Sequence, residues 1–313
     1  MSSMRYEASQ SVRRLAGRTE RRGAQTGFPT WGAFGFGGIF VAVGTAILLV
    51  GARVIPVDPN SVHAPWWVLT VMGVVFALAG LAVCGMGVRQ YQSERRRRET
   101  QRLYPDEPAR ADYAWDMRGF EAPRWSRAVK GLAGVAGLSL FLSIFNYWAF
   151  VARGPWVVKA AVILFDLFLL AAWAQALILW GRAWKFGGSR IEFGSFPYRL
   201  GGPVALRWRP ASGIVKARRG TFTLRCVEEW FEHRGSGKNR SAHLVQEEKW
   251  SGTWHLDQPR TFTLSEVLEF RFDPPASLPP TQLSAAKPVF WEFEVKLDLP
   301  GLDFEEIYLA PIY

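Results

Sequence analysis

Four long apolar runs constrain this chain more than any other feature. Residues 31–50 form a stretch of 20 without a charge, 66–88 one of 23 and 131–151 one of 21. Residues 156–180 form a stretch of 25, interrupted only by Lys159 and Asp166. A hydrocarbon layer about 30 Å thick is crossed by roughly 20 helical residues, so each run predicts a transmembrane helix. Lipid offers backbone groups no partners, which leaves helices or closed barrels, and unbroken apolar runs lack the alternation of barrel strands. The first run is too long for a cleaved leader and no small-residue cleavage pattern precedes Arg53, so it reads as a retained anchor. The acid-poor, Arg- and Ser-containing start also has the composition of an organelle transit peptide.

Lysine and arginine around the runs set the orientation. The tail 1–30 carries six, loop 89–130 carries eleven, and Arg182 and Lys185 follow the last run, giving 19 on one side. Arg53, Arg153 and Lys159 are the 3 on the other. Both termini are therefore expected in the cytoplasm of a bacterial inner-membrane protein, with 1–30 as a basic tail, 31–185 as the transmembrane region and 186–313 as a cytoplasmic domain. Trp31, Trp66, Trp67, Trp156, Trp180 and Trp184 stand at run ends, where amphipathic rings favour the interface. Gly32, Gly35, Gly37, Gly38 and Gly44 in the first run, and Gly131, Gly134 and Gly137 in the third, suit close helix packing. The runs pair into two hairpins, and a four-helix bundle or a larger oligomer follows.

The formal charge of +11 resides in residues 1–185, with 22 basic and 11 acidic residues, while 186–313 carry 16 of each. A neutral folded domain argues against nucleic acid and for anionic headgroups as the reason for the basic excess. Cys84 and Cys226 form no disulfide or zinc pattern.

Residues 186–313 alternate with period two. Trp291, Phe293, Val295, Leu297 and Leu299 share one face opposite Glu292, Glu294, Lys296 and Asp298; Phe222, Leu224 and Cys226 share another. In 261–273, Phe262, Leu264, Leu268, Phe270 and Phe272 align, with Glu266 out of pattern. Further strands are expected at 189–196, 204–209, 212–218, 242–250 and 306–313. The fold class is thus a membrane α-helical bundle of four transmembrane helices plus an all-β antiparallel sandwich.

After the second run come Arg95, Arg96, Arg97 and Arg98 on a helix expected to reach Leu103, where Tyr104, Pro105 and Pro108 end it. This basic stretch reads as a topology signal or as a contact for anionic lipid. Tyr104-Pro-Asp-Glu-Pro108, then Asp112-Tyr-Ala-Trp115, together with Phe196-Pro197, Gly201-Gly202, Leu224-Arg-Cys226, Gly235 to Arg240, Trp250 and the end from Trp291 to Pro311, resemble a family of uncharacterised bacterial inner-membrane proteins. That resemblance implies two transmembrane hairpins and a cytoplasmic arrestin-like or Ig-like sandwich, and no activity. Ala109 and Arg110 stand where the family carries an aromatic residue after the second proline.

Candidate chemistry is sparse. Gly235-Ser-Gly-Lys238-Asn-Arg240 lacks the Ser or Thr and the helix of a phosphate loop and reads as a hairpin turn, with Arg234, Lys238 and Arg240 as partner contacts. His233 and His243 flank that turn and would face each other in a symmetric hairpin, without a third metal ligand. Asp166 lies deep in the fourth run, level with Asn146 if the helices are antiparallel, with Gln175 further along. An intramembrane acid faces protein or water, so the pair suggests an inter-helix hydrogen bond or an ion-coupling site. No nucleophile, paired-carboxylate or nucleotide motif stands out. No cofactor or metal is expected. The leading expectation is a non-enzymatic membrane protein whose sandwich binds a protein partner or a second copy, with lipid as the other contact. The alternatives are transport or ion coupling through Asp166 and, more remotely, lipid chemistry at the cytoplasmic face.

Overall fold

The computed structural model describes residues 4–10, 12–18, 20–23, 30–58, 65–211, 216–235, 241–263 and 266–313, and for Arg234 its backbone alone. The chain divides into two compact units, one of residues 1–25, 96–123 and 184–313, the other of 26–95 and 124–183.

The helical unit contains α1 (Thr30–Gly51), most of α2 (Trp66–Leu103), α4 (Arg124–Asn146) and most of α5 (Trp156–Phe186). Helix α3 (Pro108–Asp112) belongs to the other unit. Four helices are long and apolar enough to cross a membrane. At 1.5 Å per residue, the 22 residues of α1 span roughly 33 Å, close to a hydrocarbon core. Many apolar side chains point outward: Ile163, Leu164, Phe165, Leu167, Phe168 and Leu170 of α5 are all exposed, while Val162 and Ala176 are buried. As expected, α2 runs on to Leu103.

The first hairpin is built on glycine. Gly37, Gly44 and Gly51 repeat every seven residues on α1, about two turns, and Gly73, Gly80 and Gly87 do the same on α2. A methyl group on Gly44 would sit 2.4 Å from the Ala77 backbone nitrogen, and one on Gly80 2.6 Å from the Gly37 carbonyl oxygen. The two backbones therefore touch, as small residues permit in lipid. Gly35 and Gly38 meet nothing within 4 Å, and neither do Gly134 and Gly137 of α4. The glycine face expected on the third run therefore brings no helix close. Residues Trp125 and Trp180, with rings 5.3 Å apart and edge to face, and polar bonds described below join α4 to α5 instead. Helix α4 ends in a π-helical turn, Tyr147–Val151.

The other unit holds two antiparallel sheets. One orders its strands β1 (Met4–Ser9), β8 (Ser241–Leu256), β7 (Arg219–Arg234), β11 (Val289–Asp298) and β12 (Phe304–Ala310), with β2 (Arg13–Arg14) also on β8. The second orders β10 (Leu268–Phe272), β5 (Val204–Arg209), β4 (Arg190–Phe193) and β3 (Gly119–Glu121). A short pair, β6 (Lys216–Ala217) with β9 (Arg260–Thr261), completes the unit. Aromatic side chains fill the space between the sheets. Phe222 of β7 stacks on Phe270 of β10 at 4.3 Å, and Trp208 of β5 meets Phe222 at 5.5 Å. Phe293 and Tyr308 are fully buried in the same core. Cys226 lies there too, and burial pushes its thiol up to about 12.

Three expectations change. Residues 4–9, counted with the basic tail, form an edge strand on β8, from Met4 opposite Leu256 to Ser9 opposite Ser251. Residues 119–121 of the middle loop pair with β4. The strand expected over 261–273 is not continuous: β9 ends at Thr261 and β10 begins at Leu268. Glu266, the residue out of pattern, accepts the Thr263 backbone N–H at 3.3 Å and pairs with Arg260, while Leu264 lies outside the described residues.

Candidate functional site

Strand β11 is buried on both faces for most of its length, not on one. Its outward residues Glu292 and Glu294 lie beside Arg225, the outward residue of β7, because register sets Glu292 opposite Arg225 and Arg225 opposite Ser251. Arg225 pairs with Glu294, with Glu292 at 3.5 Å and with Glu248 at 3.6 Å. Ser251 donates to Glu248 at 2.9 Å. Three buried carboxylates thus share the buried Arg225, with the half-exposed Lys296 of β11 at 3.4 Å from Glu294 and the exposed Arg13 of β2 at 3.7 Å from Glu248. Charge removed from water at such density is costly unless it is paired.

A further cation comes from the N-terminus. Past β2 the chain crosses the outer face of the sheet, and Arg18 reaches Glu292 through Nη1 and Glu294 through Nη2, the latter at 2.9 Å. Burial opposes the Arg18 charge, yet the two carboxylates outweigh it and raise its proton affinity above the usual arginine value. Burial likewise pushes the Glu294 carboxyl up, but Arg225, Lys296 and Arg18 together hold it below the usual carboxylate range. Further along, the Arg22 and Gly23 backbone N–H groups donate to the buried Glu229 at 3.0 and 3.1 Å, and Gln246 Nε2 donates to Glu229 at 2.8 Å. Leu15 N–H donates to the Gln246 carbonyl at 2.9 Å. The arrangement is a carboxylate-lined receptor for guanidinium, filled by the chain's own arginine. Sequence reading assigned Glu292 and Glu294 to an open polar face; nothing in their spacing shows that residues some 270 positions upstream cover them.

A second constellation ties the middle loop to the C-terminus. Asp112 accepts the backbone N–H groups of Leu283 and Ser284 at 2.8 and 2.9 Å and the Tyr313 hydroxyl at 3.1 Å. Trp115 Nε1 donates to the same hydroxyl at 3.1 Å. Burial, with Asp112 adding to it, pushes the Tyr313 phenol well up, so it stays protonated and donates. The Asp-Tyr-Ala-Trp segment is thus a structural clasp. A cleft of about 310 Å³ lies beside it, lined by Arg97, Tyr104, Asp112, Thr281 and Tyr313.

The remaining predicted residues are placed as follows. Asn146 Nδ2 donates to Asp166 Oδ1 at 3.1 Å and also to the Leu142 carbonyl at 3.3 Å, so α4 and α5 meet at the depth expected. Trp173 Nε1 donates to Ser139 at 3.0 Å, a second bond between these helices that went unforeseen. Gln175 is exposed, and the structure does not bring it to the pair. Arg95, Arg97 and Arg98 are exposed, whereas Arg96 is half-buried and donates to the Arg110 and Tyr113 carbonyls at 3.5 Å. Lys238 and Arg240 lie outside the described residues, as does the Arg234 side chain. His233 stands opposite Ala242 and His243 opposite Glu232, so the two imidazoles point to opposite faces of the hairpin and share no ligand. Among the described residues no group of three or more His, Cys, Asp or Glu is arranged to hold a metal.

No protein-family model matches the chain, and no curated protein matches it significantly. Among solved structures, the crystal structure of the sporulation control protein Spo0M from Bacillus subtilis is similar to 39% of this chain at 12% identity, with a TM-score of 0.22. The chain spans 47% of the length of Spo0M.

Proposed function

We propose that this is a multi-pass protein of the bacterial inner membrane, with both termini cytoplasmic and with a β-sandwich that binds a protein partner rather than catalysing a reaction. We include its membership in the inner-membrane family it resembles. The observation that carries the reading is the make-up of the β-unit. Residues 1–25, 96–123 and 184–313 are separated in sequence by the two apolar hairpins, yet they build one unit. If the hairpins lie in lipid, each must begin and end on the same side, and the 19-to-3 distribution of basic residues makes that side the cytoplasm. The partner-binding role draws on the sheet edges at β12 and β10, which offer strand addition, and on Phe231, exposed on the long β7–β8 hairpin.

Two measurements test it. An alkaline carbonate wash should leave the chain in the membrane pellet; release into the supernatant refutes insertion. A photo-crosslinking residue at Phe231 should trap a discrete protein in cells, while one at Phe168 of α5 traps none. An absence of adducts from Phe231 and from positions along β12 refutes the interaction role.

The Asn146–Asp166 bond favours a second reading, ion coupling through the bundle, because an ionisable group at that depth sits beside a π-helical turn. Asp166→Asn keeps the hydrogen bond and removes the titration, so unchanged proton or ion flux in vesicles defeats it.

A further inference from the structure

We propose that the outer face of the sheet β1-β8-β7-β11-β12 is a receptor for an arginine- and glycine-bearing segment of a protein partner, occupied here in cis by residues 13–18 and 20–23 acting as a displaceable strap. This inference deepens the interaction-module reading and rests on it.

The receptor is defined by the strands and not by the strap. Glu229, Glu248, Glu292 and Glu294 are buried on that face; among the described residues Arg225 is the one buried cation the strands supply against them, with Lys296 reaching Glu294 at 3.4 Å from the solvent side. One oxygen of the fully buried Glu292, Oε2, makes no hydrogen bond, so the face has acceptor capacity beyond what Arg18 uses. Carboxylates buried at this density demand a cation, and their placement selects its shape. Glu292 and Glu294 lie two residues apart on one strand face, where the two terminal nitrogens of one guanidinium reach one each. A lysine ammonium lacks that fork.

The strap is held partly by its backbone, which pairs Arg13 with Glu248 and Arg14 with Glu247 and then donates from Leu15, Arg22 and Gly23. Main-chain bonds with pockets for particular side chains are the physics of strand addition. A competing segment must also supply glycine where Gly17 takes a left-handed φ of 75° and where a side chain at Gly23 would meet Pro288 at 2.3 Å. Its apolar anchoring is slight. Val12 is exposed, Arg13 and Arg14 are largely exposed but pair with Glu248 at 3.7 Å and Glu232 at 3.3 Å, Arg21 lies over the Phe231 ring at 5.1 Å, and Leu15 packs partly on the small cluster formed by Val227, Leu283, Phe290 and Leu309. A contact dominated by charge and backbone bonds exchanges with a competitor more readily than one sealed by a hydrophobic core, and weakens as salt rises.

The test uses the full chain in detergent and a fluorescent peptide of residues 4–23, with binding read by anisotropy. In the Arg18→Gln chain the strap loses its fork, and the peptide should bind. The unaltered chain should bind it about tenfold or more weakly, because its own strap competes. A peptide carrying Arg18→Ala should lose on the order of tenfold in affinity, and adding Glu292→Gln to the Arg18→Gln chain should remove binding. Should Arg18→Gln not fold, Arg18→Lys, which keeps the charge without the fork, takes its place. Absence of binding to either loosened chain overturns the proposal, as does binding indifferent to the peptide arginine and to Glu292. A partner trapped at Phe231 with no peptide binding overturns the receptor and leaves the interaction module standing. Peptide binding with no partner trapped in cells supports an exchangeable strap but overturns its use by a protein partner.

Discussion

Asp112 offers the sharpest measure of what joins the middle loop to the β-unit. Replacing it with alanine removes the acceptor for two backbone N–H groups, at Leu283 and Ser284, and for the Tyr313 hydroxyl. A hydrogen bond to a charged acceptor contributes about 1.5–3 kcal/mol net, and a neutral hydroxyl about 1 kcal/mol. Asp112 is half-buried, so the low end applies to the two N–H groups, giving a total near 4 kcal/mol. For a unit of 150–250 residues, about 2–4 °C of Tm is lost per kcal/mol, so a fall of roughly 8–16 °C is expected. Asp112→Asn is the informative companion. It keeps the shape, but its amide turns an –NH2 either toward the Ser284 N–H or toward the Leu283 N–H and the Tyr313 hydroxyl, and it should recover less than half of the loss. The assay is thermal unfolding of the full chain in detergent, followed by tryptophan fluorescence, since Trp115 reports from the clasp itself. A fall of less than 2 °C for Asp112→Ala, or an asparagine variant equal to wild type, would refute the reasoning.

Glycine substitutions should split by hairpin: Gly80→Val forces a side chain into the Gly37 and Val41 backbone and should prevent stable folding. Gly134→Ala meets open space and should leave the Tm unchanged or raise it, by up to about 1 kcal/mol of helix propensity; equal effects at both sites would contradict the packing. Cys226, its thiol pushed up to about 12, should resist maleimide at pH 8 in the folded chain and react on unfolding, and prompt labelling of the native protein would contradict its burial. Acid should loosen the outer face of the sheet. Glu294 titrates lower when folded than its ordinary 4.5, so its contribution is complete above that pH and is lost as pH falls through the folded value. Trypsin cleavage after Arg18, slow at neutral pH, should therefore become accessible in samples pre-incubated below pH 4 and assayed promptly after neutralisation; cleavage that is equally fast without acid would refute the latch.

How much of this was legible in the sequence depends on which force set each element. The four apolar helices are visible because the length and hydropathy that define each of them lie within one unbroken segment. The β-strands from Val204 onward are visible because one face of each carries large apolar side chains at period two, as Phe222, Leu224 and Cys226 do. Strand β1 was hidden because its alternation, Met4, Tyr6 and Ala8 against Arg5, Glu7 and Ser9, is short and weakly apolar within a basic stretch; only its pairing with β8 sets Met4 on the core and Tyr6 against Trp254. The charged face was hidden for the opposite reason. Glu292 and Glu294 carry the pattern of an exposed face, and their burial depends on partners far off in the chain. Asp166 and Asn146 were matched from depth alone, since antiparallel helices bring equal depths together. The Ser139–Trp173 bond was missed because two polar atoms in apolar runs give no such signal.

The pairing of β1 with β8 also sets a clock for synthesis. The first strand leaves the ribosome roughly 240 residues ahead of its partner, and at 5–20 residues per second that interval is on the order of 12–50 s. Throughout it the first strand has no template, and five arginines between positions 13 and 22 travel without the carboxylates that will receive them. In the membrane arrangement proposed above, their companions meanwhile are acidic headgroups, which would hold the segment at that surface until the last strands arrive.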